Sequence, residues 1–148
     1  MAKKANQSIT IKKNGVTLQA ANGETFFTVN PYKTKGFKFS DGRYGVQTVD
    51  GSVRPNTATV GSSGSLGSVT VYASAAKSSV TMTEEGTWTL EEDTATTAYA
   101  CNNIVVKNPL GAIVTTNAVC YKIDANGSIK GMKYTLFVVQ ANKVLTFH

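Results

Sequence analysis

Apolar and polar residues alternate one by one along most of this chain, and Asn-Gly or Asp-Gly pairs interrupt the alternation at intervals. That pattern confines the fold to antiparallel strands joined by tight turns. Ser8-Ile9-Thr10-Ile11-Lys12 and Val16-Thr17-Leu18-Gln19 flank Asn14-Gly15 and predict a first hairpin. Asn22-Gly23, Asp41-Gly42 and Asp50-Gly51 mark further reversals around Thr25-Phe26-Phe27-Thr28-Val29 and Arg43–Val49, because glycine accepts positive φ without steric cost. Phe37-Lys38-Phe39 reads as a short strand with its two aromatics on one face.

Later segments keep the period of two: Val69–Ala73, Ser79–Thr83, Thr87–Leu90, Ile104–Val106, Ala112–Thr116, Val119–Ile123, Lys133–Val139 and Lys143–Phe147. Ala95–Cys101 is compatible with one helical turn. Arg54–Ser68 is rich in Gly and Ser and reads as a flexible loop. Some ten short strands with turns between them predict an all-β, antiparallel fold, either a β-sandwich (immunoglobulin-like or jelly-roll-like) or a Greek-key barrel. The immunoglobulin signature itself fails, since Trp88 precedes both cysteines. At 148 residues the chain has the length of one domain, expected to comprise residues 1–148 with a basic N-terminal arm (1–7) and the loop at 54–68.

Little catalytic chemistry is on offer. The single histidine, His148, is the last residue of the sequence, and Cys101 and Cys120 have no CxxC spacing, so neither a triad nor a zinc site has its usual members. No cofactor or metal is expected. With no apolar stretch after Met1-Ala2-Lys3-Lys4, no signal peptide is expected and synthesis in a cytoplasm is, which makes two free buried thiols the expectation for the cysteines. No run is long and apolar enough for a membrane helix. Glu84, Glu85, Glu91, Glu92 and Asp93 surround Trp88; they could serve a calcium ion, or a sugar hydrolase with Trp88 as platform. A solvated acidic hairpin with Trp88 in the core accounts for them more simply.

Charge is segregated along the chain. Residues 1–54 carry +6, residues 55–100 carry −4 and residues 101–148 carry +4. Tyr32, Phe37, Phe39 and Tyr44 among Lys33, Lys35, Lys38 and Arg43 would suit an oligonucleotide-binding barrel. Strand alternation offers a different account, in which the aromatics face the core and the lysines face water. A third use of the segregation is assembly, with a basic patch on one copy meeting an acidic patch on its neighbour.

Ala2-Lys3-Lys4, the Gly61–Gly67 segment and the succession of short Thr/Asn/Gly-rich strands give the chain a character that resembles the auxiliary (decoration) proteins of tailed-bacteriophage capsids, and more distantly other virion structural proteins. The resemblance implies a non-enzymatic virion protein, made in the bacterial host cytoplasm, present in many copies and binding the major capsid protein and possibly itself. Lys3, Lys4, Lys12 and Lys13 are then expected contacts to acidic capsid surface, with Lys33, Lys35, Lys38 and Arg43 as further partner-binding residues. Nucleic acid is a less favoured partner, and a membrane none. The alternatives are an oligonucleotide-binding β-barrel and a carbohydrate-binding β-sandwich.

Overall fold

The computed structural model describes residues 3–13, 15–29, 32–52, 55 and 57–147, with the backbone alone at 9, 11–13, 18, 19, 21, 32 and 147. Ten strands follow one another: β1 (Lys3–Lys13), β2 (Val16–Val29), β3 (Tyr32–Phe39), β4 (Tyr44–Asp50), β5 (Ser63–Tyr72), β6 (Val80–Thr94), β7 (Thr97–Lys107), β8 (Ile113–Asp124), β9 (Ile129–Val138) and β10 (Lys143–Phe147). A single 3-10 turn, Val139–Ala141, separates the last two. All ten pair antiparallel with their sequence neighbours in one open sheet, in the order β1 to β10.

The antiparallel all-β class is the one expected from the alternation. The layering is not that of a sandwich or a closed barrel. Every strand packs chiefly on its sequence neighbours, and no second layer covers the sheet among the described residues. The alternation makes one face of each strand apolar, but it carries no information about what covers that face. The cost of the missing layer shows in the surface. The chain exposes 9609 Å², where a compact protein of its mass exposes about 7,300 Å².

Cross-strand partners share a face, so the register sorts the side chains. One row runs Phe37, Gly45, Val71, Met82; a second runs Gln47, Val69, Glu84, Val106, Thr115, Val138; a third runs Gly67, Gly86, Ile104, Asn117, Leu136, Leu145. These rows form an apolar face. The opposite face carries Ser68, Glu85, Val105, Thr116 and Ser65, Thr87, Asn103, Ala118, Thr135, and it is predominantly polar. Val69, Val71 and Val106 are buried on the apolar side, with Val71 wholly so beside the Phe37 ring that lies over Gly45.

Four local expectations are corrected. Asn22-Gly23 is no reversal: it lies inside β2, paired with Ser8 and Gln7. Ser63–Ser68 belong to β5 and are not loop. Their glycines serve close approach and not flexibility: a Cβ at Gly64 would lie 2.5 Å from Trp88 Nε1, and one at Gly67 would collide with the Val49 carbonyl; on the facing strand, one at Gly86, the partner of Gly67, would lie 2.8 Å from Leu66 Cβ. Thr97–Cys101 extend in β7 where a helical turn was compatible, because Thr97–Lys107 pair along their length with both neighbours. At the start of the chain, Lys3–Gln7 are paired with β2 and are not a free arm; Met1 and Ala2 lie outside the described residues.

Candidate interaction surfaces

Cys101 and Cys120 are not free thiols. They are direct cross-strand partners in β7 and β8, with Cα atoms 3.9 Å apart and joined as a disulfide. The compartment argument addressed whether a bridge persists, not whether the thiols meet. The signal was present in the spacing. Pro109-Leu110-Gly111 stands midway between the two cysteines, so a hairpin closed there brings them opposite each other.

The basic residues of the first third do not converge on one patch. Lys4 Nζ donates to Glu24 Oε1 at 2.7 Å, Lys33 Nζ to Asp50 Oδ2 at 2.7 Å, and Arg43 Nε to Asp41 Oδ2 at 2.7 Å. All three acids of residues 1–54 are thus paired. The hydrogen bond from Lys4 lowers the Glu24 pKa, and that from Lys33 lowers the Asp50 pKa. Lys38 shares the face of Glu24 and Tyr44, Lys3 and Lys35 are exposed, and the side chains of Lys12 and Lys13 lie outside the described residues. Arg43 is on the other, apolar face, where its guanidinium sits 4.8 Å from the Phe39 ring centre and Nη1 reaches Met82 Sδ at 3.7 Å.

The aromatics likewise divide. Phe37 and Phe39 make an edge contact on the apolar face with centres 5.3 Å apart. Tyr44 meets Phe26 on the polar face at 5.9 Å. They do not form one stacking platform flanked by lysines, as an oligonucleotide groove requires; the Tyr32 side chain lies outside the described residues.

The acids near Trp88 alternate between faces in the same way. Glu84 shares the row of Val69 and Val106, and burial raises its pKa, opposed by the nearby Arg43 charge. Glu85 is on the polar face and accepts two 2.7 Å bonds from Lys107 Nζ. Glu91 accepts from the Thr89 hydroxyl at 2.7 Å. Asp93 accepts from Lys122 at 2.8 Å and from the Thr97 hydroxyl at 2.5 Å, the Lys122 bond being the larger cause of its lowered pKa. No group of three His, Cys, Asp or Glu residues is placed to hold a metal ion among the described residues.

A trough of about 560 Å³ lies at one end of the sheet. Trp88, Leu90, Ala98, Ala100 and Ile123 form its floor on the apolar face, and Val60 stands on its wall. Residues 57–62, ahead of β5, border it, held by Gly61 N donating to Leu90 O (2.8 Å) and Leu90 N donating to Ser62 O (2.9 Å). Trp88 Nε1 is buried and has no hydrogen-bond acceptor among the described residues. Large apolar side chains are exposed elsewhere, above all Leu110 (93%), then Ile129 (65%), Val144 (62%) and Met132 (54%). Sequence reasoning singled out none of these, because exposure of an apolar residue depends on the missing layer. No protein-family model, curated protein or solved structure matches the chain.

Proposed function

We propose that this protein is a non-enzymatic structural component of a bacteriophage virion, an auxiliary (decoration) protein that works by laying its open sheet against protein neighbours in the capsid lattice. The observation that carries the reading is the single-layer sheet with one apolar face, whose accessible area of 9609 Å² exceeds the compact expectation by roughly 2,000 Å². A stable interface takes about 800 Å² from each partner, so the excess is enough for more than one neighbour. The meander also carries the sequence order of charge into space: a basic edge (β1–β4), an acidic centre (β5 and β6) and a basic second half (β7–β10). Such banding aligns a subunit on a lattice of complementary charge and speeds its capture.

The test is co-sedimentation with tailed-phage capsid shells at low and moderate salt. Saturable capture that weakens with salt is the expected result. A strict monomer without affinity for shells overturns the reading, and capture by single-stranded DNA in place of shells transfers it to nucleic-acid binding.

A further inference from the structure

We propose that copies of this chain join head to tail, the Leu110 turn of one copy seating in the Trp88 trough of the next. The inference rests on the assembly reading above and adds the mode of self-association.

Leu110 is the most exposed large apolar side chain described, and the turn that carries it is rigid. Asn108 Oδ1 accepts from Leu110 N and Ala112 N at 3.0 Å each, Gly111 N donates to Asn108 O at 2.9 Å, and Asn108 N donates to Ala112 O at 2.9 Å. Pro109 and Gly111, the latter at φ +85°, complete the turn. Its ordering cost is met within the monomer, which is what a preorganised anchor requires. The trough has an apolar floor under a rim of threonines, Asp124 and Asn126, and it sits at the other end of the same strands. β7 starts on its floor with Ala98 and Ala100 and ends at Lys107 beside the Leu110 turn, about 34 Å away along an extended strand.

A knob and a socket at opposite ends of one chain cannot satisfy each other within that chain. They form a heterologous contact, which propagates as a filament or closes as a ring. Charge supports the same polarity. At the Leu110 end Lys77 stands in a turn, and Lys107 and Lys143 stand at the strand ends beside it; Lys107 is held by Glu85 and Arg43 by Asp41, which leaves Lys77 and Lys143 as the excess charge. Glu91, Glu92, Asp93 and Asp124 stand at the trough end, where Lys122 and Lys130 bind two of them at 2.8 and 3.0 Å. End-to-end docking therefore brings opposite signs together.

The experiment is sedimentation and light scattering of the full chain over a concentration series, with emission of Trp88, the only tryptophan, as the local readout. Wild type is expected to grow in mass with concentration and to change its Trp88 emission in step. Leu110→Asp, at an exposed tip, is expected to fold normally by circular dichroism and to weaken association on the order of 10- to 100-fold, the burial of one leucine. Ala98→Trp fills the socket and is expected to have the same effect; mixing the two variants restores one intact contact and gives a dimer that grows no further.

Wild-type association by Leu110→Asp overturns the proposal, as does a mixture that stays monomeric when Ala98→Trp is folded. A chain that remains monomeric yet coats shells overturns this inference alone. One that polymerises through Leu110 but ignores shells overturns the decoration reading alone.

Discussion

Reducing the Cys101–Cys120 bridge is expected to cost about 3 kcal/mol. The two residues are 19 apart in sequence, and closing a loop of that length in the unfolded chain removes about 11 cal/mol/K of entropy, or about 3 kcal/mol at 25 °C. The native hairpin holds the two strands in register through the pairs on either side, Tyr99–Lys122 and Asn103–Ala118, so the effect acts mainly on the unfolded state. Urea unfolding with and without a reductant measures it. With m between about 1 and 3 kcal/mol/M the midpoint falls by roughly 1–3 M on reduction, and m rises slightly as the unfolded chain expands. Cys101 is 1% exposed and Cys120 7%, so reductant acts only after local opening, and reduction of the native protein is slow. Two reactive thiols in unreduced, denatured protein, or a midpoint unmoved by reductant, would refute the argument. Protein made in a reducing cytoplasm is expected to carry both thiols until it meets an oxidising environment.

Further outcomes follow from particular contacts. Val71→Ala is expected to cost about 2–3 kcal/mol, because its wholly buried methyls lose both transfer energy and packing; Val144→Ala, at a 62% exposed side chain, is expected to cost under about 0.5 kcal/mol, and equal midpoints for the two in urea would contradict the assignment of the core. Gly86→Ala is expected to destabilise by about 1–3 kcal/mol through collision with Leu66 and Ile104, which thermal melting reads directly; a variant as stable as wild type would show that Leu66 does not lie there. Glu84 holds its proton more tightly folded than unfolded, so its contribution is most favourable below the ordinary glutamate value of 4.5 and is lost as pH rises through the raised folded value. Glu84→Gln is expected to remove that decline. Asp93 and Asp124, with lowered values, act in the opposite sense: their stabilisation is present above the ordinary aspartate range and fades as pH falls through the folded pKa. A Glu84→Gln stability profile parallel to wild type above pH 4.5 would show that burial of Glu84 is not felt.

How much of this was legible depends on what each residue pattern encodes. Period-two alternation encodes strand and face, and Phe37-Lys38-Phe39 did place its aromatics on one side and its lysine on the other. Asp41-Gly42 and Asn126-Gly127 encode turns through the positive φ of the glycines, +89° and +79°. Gly64 and Gly67 misled because glycine in sequence reads as freedom, whereas here the missing side chains admit Trp88 and the Val49 carbonyl. Register was the larger gap. The pairing of Lys4 with Glu24, of Lys33 with Asp50 and of Lys107 with Glu85 depends on which residue faces which across strands, and bulges such as that between Ser65 and Gly67 shift it. The trough and the Leu110 turn lie one step further on, since each is defined by the ends of several strands.

The two edges of the sheet bear on how neighbours approach. An unpaired edge strand offers its backbone to any other strand, and lysines along it oppose such pairing. β1 carries Lys3, Lys4, Lys12 and Lys13, whereas β10 is short, with Val144 and Leu145 exposed. Lateral growth through β1 therefore places like charges together, whereas β10 sets only Lys143 against such pairing. Replacing Lys3 and Lys4 with Thr is expected to leave the urea midpoint within about 0.5 kcal/mol equivalent of wild type, as surface substitutions do, and to raise turbidity at low salt by freeing the edge. Unchanged turbidity in that variant, together with normal folding, would mean that β1 is guarded by something other than its charge.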